Sequence, residues 1–93
     1  MLGANYPTDY GYIKGYTAED EAGLDVFTGT GKLQGLLTMY RPDIKGNWET
    51  KTYMGLTKKE LKAVKKEFKP VISKHVPLKT KQFIKAIKKF KND

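Results

Sequence analysis

The stretch NWETKTYMGLTKKELKAVKKEF, residues 47–68, decides the fold class because the period of its pattern changes at Gly55. Before Gly55 the residues alternate in character, which is typical of a strand with two different faces. After it, Leu61, Val64 and Phe68 recur at helical spacing with lysines on the opposite side. Strands followed by helices favour an α+β fold.

The strand half of this stretch carries an acid and a base side by side. Its alternation puts Glu49 and Lys51 together on one face. We expect the opposite face to be the buried one, and it consists of Trp48, Thr50, Thr52 and Met54.

The helical half begins with a recognisable cap. Thr57 and Glu60 have the spacing of a capping box, which predicts a helix from about 58 to 68. Pro70 is expected to bend or end this helix. Beyond it, a second, offset apolar face is formed by Val71, Ile72 and Val76. Thr80 is expected to cap a last helix, whose core stripe is Phe83, Ile84, Ile87 and Phe90.

Upstream of the quoted stretch, short aromatic and aliphatic runs separated by glycines predict strands between Tyr10 and Met54. Gly29 and Gly31 are assigned to a hairpin turn. Over residues 1–93 we therefore predict a single α+β domain. It consists of a small curved antiparallel sheet or partial β-barrel followed by two or three C-terminal helices.

Charge divides the chain at the same place as the structural pattern. Residues 1–55 hold five basic and seven acidic residues, whereas residues 56–93 hold thirteen lysines and three acidic residues. We expect a strand-rich half that carries an acidic site and a helical half with a lysine-rich surface. That surface fits either the steering of anions or plain solubility.

Composition excludes several classes of site. The chain has no cysteine, which rules out disulfides, cysteine nucleophiles and cysteine-bound zinc or iron–sulfur centres. It has no apolar run near the ~18 residues of a membrane span and no signal-peptide pattern at its start. We expect a soluble, cytoplasmic protein that does not bind membranes.

The stretch DEAGLD, residues 20–25, is the part of the sequence that most directly suggests chemistry. Asp20, Glu21 and Asp25 crowd into a turn-like segment whose other residues give little packing reason for acids. These carboxylates must be solvated, paired or bound to a cation, and a hard divalent cation would satisfy them. Ordinary turn and strand-edge roles are the alternative for Asp20 and Asp25.

Two motifs in this order resemble a known family. YPTDYGYI, residues 6–13, followed by DEAGLD, resembles the signature region of the soluble family I inorganic pyrophosphatases, YPxNYGxI followed by DGDPxD. Further on, GLLTM at residues 35–39, then Asp43, then Glu49-x-Lys51, is similar to the next strand pair of that family. The resemblance covers roughly residues 5 to 55 and implies a magnesium-dependent hydrolase of pyrophosphate or a related phosphoanhydride.

The resemblance also implies roles for individual residues. The magnesium ligands that it implies are Asp20, Asp25, Asp43 and Glu49. The phosphate contacts that it implies are Tyr10 and Lys51, with Arg41 as an additional one. Magnesium would neutralise the substrate and make a bound water acidic enough to attack phosphorus.

The sequence departs from the family at the residue that activates the water. The middle acid of DGDPxD is matched by Ala22, and the neighbouring Glu21 is the substitute. The catalytic group implied is therefore Asp20, Asp25 and Glu21. We expect a short, N-terminally truncated homologue with weak or lost activity, and we expect a homo-oligomer because a small incomplete barrel exposes strand edges.

A second function of a different class stays open. The lysine-rich helices would bind nucleic acid or another polyanion through phosphate contacts, with strong salt dependence and little sequence preference. The single arginine of the chain weighs against this reading, because nucleic-acid sites favour arginine. A structural partner protein without turnover is a third reading.

Overall fold

A computed structural model of the chain describes residues 8–92, so Tyr6 and Pro7, which begin the first motif, lie outside the described residues. The elements in chain order are β1 (Asp9–Thr17), β2 (Gly23–Thr28), β3 (Leu33–Tyr40), β4 (Trp48–Leu56), α1 (Lys58–Glu67), β5 (Ile72–Leu78) and α2 (Thr80–Ile87), with a 3₁₀ turn at Lys88–Phe90. The predicted α+β class is confirmed.

The five strands form one mixed sheet in the order β1-β2-β4-β3-β5. All neighbours are antiparallel except β2 and β4, which are parallel. The predicted antiparallel sheet is therefore wrong, and the sheet is open, with β1 and β5 at its edges, rather than closed into a barrel. Gly29 and Gly31 lie in the connection from β2 to β3, which are not neighbours, so the predicted hairpin turn is wrong as well.

The segment after Pro70 is a strand rather than a continuation of the helical region. β5 pairs antiparallel with β3, with Leu37 opposite His75. The open edge of β3 offers backbone partners that an isolated helix could not match, and Ile72 and Val76 are β-branched residues that suit a strand. Pro77 is tolerated because β5 is an edge strand, where a missing N–H costs no ladder bond. Residues 8–92 thus contain two α-helices.

The start of α1 follows the sequence prediction closely. Glu60 N donates to Thr57 Oγ1 at 3.1 Å, and Thr57 N donates to Glu60 Oε1 at 2.8 Å, so both halves of the capping box are present. The Glu60 carboxylate also accepts from the backbone and the hydroxyl of Thr30. This one acid therefore caps the helix and fastens the β2–β3 connection to it.

Each face of the sheet is covered by one helix. Neighbouring residues of β3, Leu36 and Leu37, belong to different hydrophobic clusters because successive strand residues point to opposite faces. The buried cluster under α1 contains Phe27, Leu37, Met39, Tyr53, Leu56 and Val64. The buried cluster under α2 contains Ala18, Leu24, Phe83, Ile87 and Phe90. The apolar stripe of α2 thus faces the core as predicted, except for Ile84, which is 51% exposed.

The expectation that only one face of β4 is buried is wrong. Glu49, Lys51 and Tyr53 are buried on the α1 side, whereas Trp48 and Met54 are exposed. The threonines between them are buried too, because β4 is a central strand with a helix-covered layer on each face. An alternating pattern in a strand covered on both sides does not reveal which face holds the core.

No helix among residues 8–92 is long and apolar enough to cross a membrane. Self-association through the open edges of β1 and β5 stays a prediction.

A close contact across three strands depends on a glycine. Tyr53 of β4 reaches over β3 to His75 of β5, and the distance from Tyr53 Oη to His75 Nε2 is 2.7 Å. The tyrosine ring passes directly over Gly35, where an added Cβ would lie 2.6 Å from Tyr53 Oη and 2.5 Å from the carbonyl oxygen of Val76. Gly35 is therefore the residue that lets this hydrogen bond form.

Gly35→Ala is expected to destabilise the protein by about 1–3 kcal/mol, because the new methyl group overpacks against backbone and a buried tyrosine. Urea unfolding followed by tryptophan fluorescence measures this change. Gly11→Ala on β1 is the matched control, since no atom lies within 4 Å of its added Cβ. Equal effects of the two substitutions would contradict the packing described here.

Candidate functional site

A group of charged side chains meets on the α1 face of the sheet, and we call it the ionic cluster. Its members are Tyr10, Asp20, Asp25, Arg41, Asp43, Glu49 and Lys51. They come from β1, from the turn before β2, from β2 itself, from the loop between β3 and β4, and from β4. Seven of the eight residues that the sequence singled out are thus in one contact network.

Lys51 is at the centre of the ionic cluster. Its Nζ lies 2.5 Å from Asp25 Oδ2, 2.9 Å from Tyr10 Oη and 3.3 Å from Glu49 Oε2. The parallel pairing of β2 with β4 produces this contact, because Val26 is opposite Thr52 and the residues before them are therefore neighbours on the other face. The side chain of Lys51 is only 11% exposed.

Arg41 connects the loop to the buried part of the cluster. Its guanidinium forms a bidentate pair with the Asp43 carboxylate, with both N···O distances at 2.8 Å. The same group donates to Glu49 Oε1 and lies 3.8 Å from Asp20 Oδ2. Arg41 N also donates to the carbonyl oxygen of Asn47, which closes the loop on itself.

Burial and neighbouring groups shift the pKa values of the two central acids, Glu49 and Asp25, in opposite directions. Burial raises the pKa of Glu49, and the nearby Asp25 and Asp20 carboxylates raise it further against the opposing effect of Lys51. Burial also disfavours the charged form of Asp25, but hydrogen bonds from Lys51 and Tyr10 outweigh it and lower the pKa of Asp25. Glu49 is therefore the acid that holds a proton more readily, and Asp25 is the one that stays ionised.

Lys51, Tyr10 and Asp43 keep their ordinary charge states at neutral pH. Burial opposes the charged form of Lys51, but its hydrogen bonds to Asp25 and Tyr10 outweigh this and raise its pKa. Burial raises the pKa of Tyr10 to about 12, so its hydroxyl keeps its proton. Hydrogen bonds from Arg41 lower the pKa of Asp43 to about 2. The cluster thus combines two lasting positive charges with four carboxyl groups.

Asp20 and Glu21, two acids of the turn before β2, have different contacts. Asp20 Oδ1 accepts from Ala22 N at 3.0 Å, a turn contact, while its other oxygen faces Arg41. Glu21 has a φ of 65° and an exposed side chain, and among the described residues it makes no hydrogen bond or ion pair with the other candidate residues. The structure therefore does not bring Glu21 into the cluster.

Glu19 is a residue of this turn that sequence reasoning missed. Its carboxylate accepts from Thr50 N at 2.8 Å and from Thr50 Oγ1 at 2.7 Å, so it fastens the turn to the central strand β4. No local pattern marks this role, because Glu19 lies outside the motif and its partner is thirty-one positions away.

The acids of the cluster do not form a ready cage for a metal ion. Within residues 8–92 no three carboxylate or histidine side chains converge in the way that a shared cation needs. The physical reason is that Lys51 and Arg41 stand between the acids and occupy their oxygens. As described, the cluster is an ion-pair network with more acids than bases.

Comparison of the chain with protein-family models, curated proteins and solved structures found no significant match. The resemblance to the family I pyrophosphatases therefore rests on the sequence motifs alone.

Lys51→Met is expected to destabilise the protein by about 3–5 kcal/mol, because it leaves the partly buried Asp25 without its cation and the buried Glu49 with Arg41 alone. Lys14→Met on β1 removes the same charge from an exposed position and is expected to change stability by no more than about 0.5 kcal/mol. Guanidinium chloride unfolding of both variants measures the difference. Similar losses would show that Lys51 does not neutralise buried acids.

Asp25→Asn and Glu49→Gln are expected to change the pH dependence of stability in opposite directions. The lowered pKa of Asp25 contributes stability that is present above its ordinary value of 3.8 and lost as pH falls, so Asp25→Asn should flatten the acid side of the curve. The raised pKa of Glu49 contributes stability that is present below its ordinary value of 4.5 and lost as pH rises through its folded value. Glu49→Gln should remove that loss.

Urea unfolding of the two amide variants and the parent, from about pH 3 to pH 7, gives the pH dependence of the free energy of unfolding for each protein. Changes of the same sign in the two variants would contradict the assignment of these two acids.

Proposed function

We propose that the ionic cluster binds and hydrolyses pyrophosphate or a related phosphoanhydride that arrives as its magnesium complex. One observation carries this proposal. Seven residues that the pyrophosphatase-like motifs single out come from five separate segments of the chain and meet in one network. Motif residues that were only turn and surface positions would have no reason to converge in this way.

The charges of the cluster suit a magnesium–phosphate ligand. Guanidinium and ammonium groups bind phosphate oxygens through charge-assisted hydrogen bonds, and Arg41 and Lys51 supply both. Magnesium usually takes one or two carboxylates together with phosphate oxygens and waters, rather than a cage built entirely from protein. Asp20 and Asp25, whose side chains are 15% and 19% exposed, are the carboxylates within reach of such a ligand.

Binding requires the internal ion pairs to open. Lys51 would exchange its contact with Asp25 for a phosphate oxygen, and it would remain charged because its pKa is raised. Tyr10 keeps its proton and would donate a hydrogen bond to the same phosphate. The magnesium carried by the substrate would offset the negative charge and acidify a bound water.

The absence of an acid at Ala22 predicts slow turnover. Position 22 is exposed in the turn, and the neighbouring Glu21 is exposed as well and makes no hydrogen bond or ion pair with the cluster among the described residues. A general base has to lie within hydrogen-bond reach of the water that it deprotonates, so a misplaced one costs about 100-fold or more. The proposed activity is therefore weak in this chain, and its rate is limited by activation of the water.

Phosphate release from pyrophosphate across a magnesium titration tests the proposal. We expect release that requires magnesium and falls at least about 100-fold in Asp25→Asn, because this carboxylate is proposed to bind the magnesium of the substrate and because it already pairs with Lys51. Asp9→Asn is the matched control, since Asp9 is an exposed aspartate on β1 outside the cluster. No release at any magnesium concentration, with all proteins folded, would overturn the proposal.

Ala22→Asp in the same assay separates a weak enzyme from contaminating activity. Restoring an acid at this position is expected to raise the rate by about tenfold or more if the motif is correctly aligned. An unchanged rate in a folded variant would show that the alignment of DEAGLD with the family motif is wrong.

A further inference from the structure

Four lysines on one side of α1 and one lysine just after its end form a row that we call the lysine stripe: Lys58, Lys62, Lys65, Lys66 and Lys69. Helical periodicity brings Lys58, Lys62, Lys65 and Lys66 onto one side of the helix over a length of about 12 Å. The two acids of the helix, Glu60 and Glu67, fall on the opposite side by the same periodicity. Among residues 8–92 no carboxylate lies within 4.0 Å of any ammonium group in the stripe.

The stripe forms the wall of an open groove between α1 and β5. Four of its lysines and Ile72 surround a hollow of about 620 Å³. A smaller hollow of about 240 Å³ is lined by Lys58, Leu61, Lys62 and Lys65. The two hollows share Lys62 and Lys65, so they adjoin along the helix, and we call them together the groove. Its floor is made of aliphatic carbon, and its rim carries the charges.

The charges of the stripe repel one another without internal compensation. Like charges three or four positions apart on a helix destabilise it by about 0.2–0.5 kcal/mol per pair. Their field reaches the sheet, because His75 on β5 has a pKa lowered first by burial and then by the charge of Lys65. An anionic partner that lies along the groove would relieve this repulsion at several positions at once.

We propose that this groove binds a single strand of nucleic acid through its phosphates, without reading the bases. A nucleic-acid strand carries one negative charge per nucleotide, so it can set a phosphate near each lysine in any register. The site is distinct from the ionic cluster, whose two bases are already paired with acids.

The side chains around the groove favour nucleic acid over an acidic protein segment. Protein interfaces depend on buried aromatic and aliphatic anchors and are depleted in lysine at their centres. None of the exposed large hydrophobic residues of the described chain lies in the groove; they are Tyr12, Leu33, Tyr40, Trp48, Met54 and Ile84. Nucleic-acid interfaces are by contrast strongly positive and need no apolar anchor.

The same lining predicts how the strand is recognised. No aromatic ring lines the groove within residues 8–92, so bases have no stacking platform there, and no asparagine, glutamine or arginine is present to read base edges. A flexible single strand can follow the groove along the helix, whereas a stiff duplex, with a persistence length of about 150 base pairs, cannot bend into it. Binding is therefore electrostatic and independent of sequence.

Fluorescence anisotropy with a labelled oligothymidylate of about 12 nucleotides tests the proposal. If four lysines each displace one counterion, affinity falls about 50-fold between roughly 50 and 200 mM salt. Replacing Lys62, Lys65, Lys66 and Lys69 together by glutamine should remove most of this salt dependence and weaken binding at low salt to a similar extent. An oligoadenylate of equal length should bind as the oligothymidylate does.

The matched control replaces Lys81, Lys85, Lys88 and Lys89 by glutamine. These exposed lysines belong to α2 and the turn after it, on the other side of the sheet, and their loss removes the same net charge. We expect the control variant to keep the affinity and the salt slope of the parent. Equal losses in the two variants would show that only net charge matters and would overturn the proposal.

Polyglutamate and a nucleic-acid duplex test whether the groove prefers another kind of occupant. Displacement of the strand by polyglutamate at equal charge concentration would assign the groove to an acidic protein segment, and tighter binding of a duplex of the same length would assign it to double-stranded nucleic acid. Either result would overturn the proposal. Circular dichroism confirms that both glutamine variants are folded, which we expect because every substituted side chain is exposed.

Discussion

The parallel pairing of β2 with β4 is the constraint on which the rest of this structure depends. It brings Asp25 beside Lys51 at the centre of the sheet, where neither charge would be tolerated alone. Glu49 lies on the same strand as Lys51 and also contacts it. Its buried carboxylate is further compensated by Arg41 from the loop between β3 and β4. One backbone register thus determines which charges are buried together, and it orders the loop that carries the second base.

A buried network of this kind is not explained by stability alone. Well-packed apolar side chains of similar volume often stabilise a fold as much as a buried ion pair or more. The neighbouring cluster under α1 shows that the sheet can fill this layer with aromatic and aliphatic residues such as Phe27 and Tyr53. Keeping four acids and two bases beside that apolar layer therefore gives a lower free energy of unfolding than an apolar layer of similar volume could give. A purely structural role for the network gives no reason for its excess of acid over base.

The sequence indicated more about the site than about the fold around it. The capping box at Thr57 and Glu60 is a local signal, and it predicted the start of α1 correctly. Residues 72–78 were missed as a strand because β5 depends on the free edge of β3, which no local pattern shows. Glu49 and Lys51 were predicted on the face opposite the buried one but are buried, because both faces of β4 are covered by elements that no local pattern places. Motif spacing, in contrast, carries information about distant neighbours, and it brought together residues as far apart as Tyr10 and Lys51.

The two basic regions of the chain differ in what they offer to an anion. Arg41 and Lys51 already have carboxylate partners, so a phosphate that binds there has to replace an existing ion pair and gains only the difference. The lysines of α1 have no such partners among the described residues, so a phosphate that binds there exchanges only water and counterions. Affinity without selectivity is therefore expected along the α1 groove, and selectivity with modest affinity at the ionic cluster. The separation of these two properties on one small sheet follows directly from where the acids are placed.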